Sequence, residues 1–244
     1  EIRLSLVGSE MCIRDRSGHE SSGRHPGGNG GKKAEMKMKN RMVDKSRNTP
    51  YDEAYKALRT NLEFLHTAQD LRVILLVAPE EQSGKCAFVQ NLAVVLASKE
   101  RQVLLMDCDL RCGALTKHLS TAAGVGVSEL LAAEQKPVKK VQRIAQNVDF
   151  LPCGAAAADP SELFLSRTAV DRLAELRAEY DYIILDAPAV QTASEAIDLS
   201  RMADGVVVLM QADTTKMQSA ENCKKKLQAV NASILGAVLN GSEA

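Results

Sequence analysis

The chain has 244 residues, of which 45% are hydrophobic and 25% are charged, a composition typical of a globular domain. Its 31 basic and 31 acidic side chains balance, but residues 1–48 hold 11 of the basic and 6 of the acidic ones. Residues 49–244 therefore carry a net charge of −5, which disfavours nucleic-acid binding by bulk charge. No apolar run reaches the roughly 18–20 residues that span a bilayer, and the six cysteines lack the spacing of a disulfide framework or zinc site.

The first 48 residues do not have the pattern of a folded domain. Met11–Asp15 back-translate to ATG TGT ATA AGA GAC, which matches a transposon end used to prepare sequencing libraries, and Ser5–Glu10 match the flanking primer in the same frame. We therefore expect residues 1–16 to be translated adapter sequence. The alternative, a signal peptide, needs a longer apolar stretch than Leu4–Val7. Residues 17–48, with the run Gly27–Gly31, are predicted to be a disordered tail or an untranslated region.

From Thr49 onward, apolar runs alternate with helical patterns. Thr49-Pro50 and Asp159-Pro160 each place a capping side chain before a proline, which predicts the start of a helix. The second of these predicts one helical stretch towards Glu179. The predicted strands cover residues 72–77, 102–106, 148–151, 182–185, 205–210 and 234–239, and further helical patterns cover 85–98, 193–202 and 216–230. Because the strands are apolar throughout, both faces should be buried. The sequence thus predicts an α/β fold, a mainly parallel sheet with helices on both faces, as one domain over residues 49–244.

Polar residues follow the first predicted strand, at the sheet edge where α/β proteins bind ligands. Gly84 and Lys85 open a helix there, and the free N–H groups and dipole of a helix start favour a phosphate. The lysine would reach the outer phosphates of a nucleotide. Taken alone, the signal is weak, because Pro79 and Cys86 break the Walker A pattern at its first glycine and at its hydroxyl position. An ordinary helix start with an exposed lysine is the alternative.

Carboxylates follow two more of the predicted strands. Asp107 and Asp109 are two residues apart, so both can face one metal ion or one proton. Asp186 follows an aliphatic run, as in the second metal-handling segment of P-loop enzymes. Each of these carboxylates could instead belong to a solvated turn. Their occurrence with Gly84-Lys85 at three strand ends favours a nucleotide-phosphate site.

Several longer segments extend this pattern. They are Glu53–Asn61, Val103–Arg111 and Tyr180–Pro188, with Ala158–Leu163 and Ile234–Gly241. In these segments the chain resembles the bacterial P-loop tyrosine kinases of capsule and exopolysaccharide assembly, of the separate cytoplasmic type. The resemblance covers about residues 46–241 and implies a P-loop NTPase-like fold. Partition and cell-division ATPases share that fold but lack the leader Glu53–Asn61.

The resemblance implies transfer of the γ-phosphoryl group of ATP to tyrosine hydroxyls, with Mg²⁺. Lys85 would match the phosphate-binding lysine. Asp107 and Asp109 would match the acidic pair that positions Mg²⁺ and accepts the tyrosine proton, with the two roles left undivided, and Asp186 would support Mg²⁺ through water. The implied nucleotide-binding residues are Ser83, Gly84, Lys85, Cys86, Ala87, Arg111 and Asn240, with Cys86 at the usual Ser/Thr position of the magnesium ligand.

The resemblance also implies partners. Glu53, Lys56 and Arg59 fit a signature that the family uses for self-association, with lysine at its middle position, so a homo-oligomer is implied. Their spacing alone favours a solvated helix face with charge pairs. The other implied partners are the cytoplasmic tail of a transmembrane activator, which would hold the protein at the membrane from the cytoplasm, and tyrosine-containing protein substrates. No nucleic-acid partner is expected.

The chain departs from the family pattern in its phosphate loop and its tyrosines. Gln82 replaces a glycine, Glu80 and Glu81 add negative charge beside a polyanion, and Cys86 offers a thiol to a hard cation. Only four tyrosines occur, none after Tyr182, whereas the family phosphorylates a cluster near its C-terminus.

The first hypothesis is an ATP-dependent tyrosine autokinase that regulates polysaccharide assembly. The second is a catalytically impaired pseudokinase, a nucleotide-binding or scaffold subunit of the same machinery, and a partition-type ATPase is the third.

Overall fold

The computed structural model describes residues 3–5, 42–43, 49–81, 84–97, 101–120, 124–132 and 141–241. Its strands are β1 (Arg3–Ser5), β2 (Val73–Val77), β3 (Val103–Asp107), β4 (Gln142–Ala145), β5 (Val148–Leu151), β6 (Tyr182–Asp186), β7 (Gly205–Gln211) and β8 (Ile234–Asn240). Its helices are α1 (Pro50–Gln69), α2 (Lys85–Leu96), α3 (Ala114–His118), α4 (Val127–Ala132), α5 (Pro160–Leu165), α6 (Arg167–Glu179), α7 (Glu195–Leu199) and α8 (Met217–Ala229). Within these ranges, every helix is too short or too polar to cross a bilayer.

The strands form one sheet in the order β1-β8-β7-β2-β6-β3-β5-β4. The six strands from β8 to β5 run parallel, and they are the six that the sequence predicts. The edge strands β1 and β4 are antiparallel and were not predicted. Strand β4 lacks the apolar run that marks the central strands, because it is an edge strand and only partly buried. It therefore gave no signal in the sequence.

Successive residues of the central strands pack into two different apolar clusters. In β2, Val73, Leu75 and Val77 join one cluster with α4 to α8, whereas Ile74 and Leu76 join a second cluster with α1 to α3. Because alternate side chains of a strand point to opposite faces, the two clusters are the two covered faces of the sheet. The predicted layer arrangement is confirmed.

Both predicted helix starts are present. The Asp52 N–H donates to Thr49 Oγ1 at 3.3 Å, and the Glu162 N–H donates to Asp159 Oδ1 at 3.1 Å. The helical stretch expected from Asp159 to Glu179 is nevertheless two helices, because Ser166 adopts an extended conformation and caps the second one. Serine favours such a position, since its hydroxyl competes with the backbone for hydrogen bonds.

Two predictions for the N-terminal region fall almost entirely outside the described residues. Within residues 1–16 only β1 is described, and its pairing with β8 uses backbone groups that any sequence provides. Within residues 17–48 only residues 42–43 are described. The adapter origin of residues 1–16 and the disorder of residues 17–48 stay predictions.

Candidate nucleotide-binding site

The sheet order brings the three predicted strand ends together. Strand β6 lies between β2 and β3. Its last residue, Asp186, is in register with Asp107 on one side and with Leu76 on the other. The residues that follow β2, β3 and β6 therefore share one edge of the sheet, the edge at which parallel sheets bind ligands.

The phosphate loop enters α2 through a glycine that the geometry requires. Gly84 has φ 99°, a left-handed conformation that a side chain disfavours, and Lys85 begins the helix. The first turn of α2 leaves backbone N–H groups without partners within the helix, as at any helix start. Phosphate binding at Gly84 and Lys85 stays a prediction, and Ser83 lies outside the described residues.

Lys85 and Asp186 form a buried ion pair. The Nζ of Lys85 donates to Asp186 Oδ1 at 2.5 Å and to the carbonyl oxygen of Ala187 at 2.7 Å. Burial acts to lower the pKa of Lys85, but the charge of Asp186 outweighs it and the pKa is raised. Burial also raises the pKa of Asp186, against the opposite effect of Lys85. The other oxygen, Oδ2, is buried and has no hydrogen-bond partner among the described residues, so it can accept one from a ligand or water.

Asp107 is held by a residue that the sequence reasoning missed. The backbone N–H and the hydroxyl of Thr116 both donate to Asp107 Oδ2, at 2.8 and 2.7 Å, and the Asp109 N–H donates to Oδ1 at 3.1 Å. Burial raises the pKa of Asp107 to about 6, although the Thr116 hydroxyl acts to lower it. Thr116 begins no motif and follows Asp107 by nine positions, so only the fold could reveal it.

Asp109 is the more accessible of the two carboxylates, with 9% of its surface exposed against 0% for Asp107. Its Oδ1 accepts the Cys112 N–H at 3.0 Å and so closes a tight turn. Across the described ranges, no three carboxylate, thiol or imidazole groups are close enough to hold a metal by themselves. A cation at this site would therefore need ligands from nucleotide phosphates and water, which suits Mg²⁺.

Cys86 is the residue that does not fit Mg²⁺. It is half-buried on the first turn of α2, where Asp186 and Asp107 influence its ionisation. Burial raises the pKa of its thiol to about 11, so the sulfur is protonated at neutral pH. A neutral thiol is a poor ligand for a hard cation. Ala87, the next predicted nucleotide-binding residue, is buried.

Asn240 lies beside the phosphate loop, and its contact with a nucleotide stays a prediction. A Cβ added to Gly84 would lie 3.3 Å from Asn240 Nδ2. The same amide donates to Gln211 Oε1 at 3.4 Å. Gln211 also lies next to the proposed site and was not predicted. Its place at the end of strand β7, in register with Asn240 of β8, could have pointed to it.

Two charged residues have partners that the sequence did not suggest. Arg111 donates to Glu195, a buried residue at the start of α7, from Nε at 2.6 Å. Glu80, expected to add negative charge beside the phosphates, accepts hydrogen bonds from Ser219 Oγ and, at 3.4 Å, from Gln191 Nε2. Both side chains are thus engaged with neighbouring elements.

The predicted self-association residues form ion pairs along α1. Lys56 Nζ lies 2.8 Å from Glu53 Oε1, and Arg59 Nε lies 3.8 Å from Glu63 Oε1. Glu53 is exposed, whereas Lys56, Arg59 and Glu63 are half-buried, so this face is only partly solvated. Self-association through this face stays a prediction.

The four tyrosines all belong to the folded core or its margin. Tyr55, Tyr180 and Tyr182 are buried, and Tyr180 donates to Asp149 Oδ2 at 2.9 Å. Tyr51 is half-buried and accepts a hydrogen bond from Asn91 Nδ2 at 2.9 Å. None of these hydroxyls is presented as a free phosphoryl acceptor in the described fold.

Comparison with known proteins identifies relatives of the chain. A family model described as "AAA domain" matches residues 72–238. The tyrosine-protein kinase YwqD of Bacillus subtilis is 29% identical over 192 residues, which are 78% of this chain and 81% of YwqD. The tyrosine-protein kinase Wzc of Salmonella typhimurium is 27% identical over 189 residues, 77% of this chain but only 26% of Wzc.

Solved structures give the same picture. The BceF tyrosine kinase domain superposes with a TM-score of 0.72 and 27% identity, covering 86% of both chains. Cobyrinic acid a,c-diamide synthase from Mycobacterium smegmatis, solved with a bound ATP analogue and magnesium, has a TM-score of 0.59 and 23% identity, over 68% of this chain and 71% of that chain. These matches confirm the P-loop NTPase-like fold and the resemblance to bacterial tyrosine kinases.

Proposed function

This chain belongs to the AAA domain family, and on that premise we propose that it is an ATP-dependent protein-tyrosine kinase domain that regulates capsule or exopolysaccharide assembly. The observation that carries the proposal is the meeting of Lys85, Asp107 and Asp186 at adjoining strand ends. These are a lysine and two carboxylates, the groups that phosphoryl transfer requires for charge neutralisation and positioning. Similarity to YwqD and the BceF kinase domain supports the tyrosine specificity.

In this proposal each residue acts through its own chemistry. Lys85 and the N–H groups of the first turn of α2 neutralise the phosphates of ATP. Asp107 is oriented by hydrogen bonds from Thr116 and the Asp109 N–H, which leave accepting capacity on Oδ1. Asp109, the more exposed of the pair, accepts the proton of the substrate tyrosine. Magnesium, when bound, would neutralise the developing charge of the transferred group, with Asp107, Asp109 and Asp186 as its support.

The acceptor and the partners are part of the same proposal. The substrate tyrosine is presented by a polypeptide segment other than the described fold, whose own tyrosines are buried or half-buried. We propose that the cytoplasmic tail of a transmembrane activator recruits the domain to the membrane, and that α1 contributes to a homo-oligomer. The family resemblance of Glu53, Lys56 and Arg59 supports the last point.

A second function, a nucleotide-binding or scaffold pseudokinase, is favoured by one observation. Cys86 gives the site a protonated thiol where a hydroxyl is expected, which weakens magnesium binding. The Glu53–Asn61 leader disfavours the third hypothesis, a partition-type ATPase.

The deciding experiment titrates fluorescent ADP and ATP into the protein with magnesium and with EDTA. Micromolar binding is expected, only partly dependent on magnesium because of Cys86. Lys85→Ala should abolish it, whereas Lys117→Ala, an exposed lysine on the neighbouring α3, should not. Phosphoryl transfer to a tyrosine-containing activator tail would then separate kinase from pseudokinase. A folded protein that binds no nucleotide at millimolar concentration would exclude the kinase proposal and leave the scaffold.

A further inference from the structure

Arg111 and Glu195 form an unusual ion pair next to the proposed site. Two nitrogens of the guanidinium reach one carboxylate oxygen: Nε lies 2.6 Å and Nη2 lies 2.5 Å from Glu195 Oε1. The arginine side chain is 60% exposed, whereas the glutamate side chain is 2% exposed. The second oxygen, Oε2, is buried without a hydrogen-bond partner in the described part of the chain.

The arginine end of the pair belongs to the turn that presents Asp109. The Cys112 N–H donates to Asp109 Oδ1 at 3.0 Å, and the Gly113 N–H donates to the Asp109 carbonyl at 2.8 Å. Arg111 lies inside this turn. Fixing its side chain therefore fixes the backbone that sets the direction of the Asp109 carboxylate.

The glutamate end belongs to the segment that follows Asp186. Residues 187–194 connect Asp186 to α7, which Glu195 begins. This connection is tied to the phosphate loop, because the Val190 N–H donates to the Ala78 carbonyl at 2.9 Å and the Gln191 N–H to the Pro79 carbonyl at 3.1 Å. The ion pair thus joins the loop after β3 to a segment that is already joined to the loop after β2.

Stability alone does not account for such a pair. A buried carboxylate loses its hydration, and apolar residues of similar volume are often as stable as a buried ion pair. The guanidinium instead fixes the orientation of the Asp109 turn relative to the segment that follows Asp186. Two of its N–H groups meet one carboxylate oxygen in a planar arrangement that a lysine cannot reproduce.

We propose that Glu195 is a positioning residue that acts through Arg111 to hold the Asp109 turn at a fixed distance from Asp186 and the phosphate loop. The inference rests on the proposed function, because it concerns the geometry in which carboxylates meet a magnesium-nucleotide complex. Residues that orient metal-supporting carboxylates from behind commonly change metal affinity or activity by about 10–100-fold when altered.

The chain contains a matched control. Arg143 Nε lies 2.5 Å from Asp149 Oδ1, with side-chain exposures of 56% and 11%. This pair links β4 to β5 at the far edge of the sheet, away from the strand ends that form the site. It resembles the Arg111–Glu195 pair in chemistry, length and exposure but has no connection to the nucleotide in the proposal.

The test compares Glu195→Gln and Arg111→Lys with Arg143→Lys. Fluorescent ADP is titrated with magnesium and with EDTA, and the melting temperature of each variant is recorded. Both site variants should weaken binding in magnesium by about tenfold or more, and Glu195→Gln should leave binding in EDTA unchanged. Arg143→Lys should change neither constant. Unchanged magnesium-dependent binding in both site variants, or an equal loss in the control, would overturn the inference.

Amide hydrogen exchange separates this inference from the proposed function. If the pair couples the two segments, Glu195→Gln speeds exchange in residues 109–113, and Arg111→Lys speeds exchange in residues 187–195. Exchange that rises only at the mutated segment overturns the coupling, whether or not nucleotide binds. A wild-type protein that binds no nucleotide contradicts the proposed function, and the exchange result then decides the coupling alone.

Discussion

Replacing Asp107 with asparagine tests the burial of the proposed site directly. The structure raises the pKa of this carboxyl from 3.8 to about 6 through burial. Each pKa unit corresponds to about 1.4 kcal/mol, so ionisation of Asp107 costs the folded, nucleotide-free protein about 3 kcal/mol at neutral pH.

The sign of the pH dependence of stability follows from which state, folded or unfolded, holds the Asp107 proton. Between about pH 4 and pH 6 the folded state keeps the Asp107 proton that the unfolded state has released. This residue's contribution therefore makes the protein less stable as the pH rises through that window. Asparagine carries no titrating proton, so the contribution disappears in Asp107→Asn. The amide also loses one of the acceptor oxygens used by Thr116 and Asp109, which shifts the whole profile by a constant amount.

The assay is urea unfolding at several pH values from about 4 to about 7.5, and the informative quantity is the wild-type free energy of unfolding minus that of Asp107→Asn. This difference should fall by about 2.4 kcal/mol across the range, because part of the unfolded-state titration lies below pH 4. Asp70→Asn is the control: a hydrogen bond from Arg72 lowers the pKa of exposed Asp70, so its contribution changes mainly below about pH 4 and its difference profile should be nearly flat across this range. A flat difference profile for Asp107→Asn would show that burial does not raise the pKa of Asp107 in the folded protein.

Three further outcomes are expected. Cys86→Ser supplies the hydroxyl that magnesium prefers. In fluorescence titrations, the nucleotide affinity in magnesium divided by that in EDTA should therefore rise about tenfold. An unchanged ratio contradicts the assignment of Cys86 to the magnesium side of the site. Asn91→Ala removes a buried hydrogen bond from the Val43 N–H and a part-buried one to the Tyr51 hydroxyl. It should lower the free energy of unfolding by about 2 kcal/mol, and unaltered urea unfolding would count against these contacts. Mass spectrometry after incubation with magnesium-ATP should find the three buried tyrosines unmodified, and a phosphate on any of them would mean that the core opens.

The local features of the fold were predictable because their causes are local. A threonine or aspartate before a proline favours a helix start through its own side chain, and both Thr49 and Asp159 cap helices in this way. The six central strands are mainly apolar on both faces, so each can be recognised from its own short run of residues. The break at Ser166 was missed because the hydrophobic period continues on both sides of it.

The α/β class, the central strands and the groups at their ends were predictable from the residues alone; those groups are Lys85, Asp107, Asp109 and Asp186. Their arrangement in space depends on the order of the strands in the sheet. The order β2-β6-β3 makes Lys85 and Asp186 partners although 101 residues separate them. The pairing of Arg111 with Glu195 spans 84 residues. Neither contact has a periodic or local signature, because a hydrogen bond between distant segments depends on where the whole sheet places them.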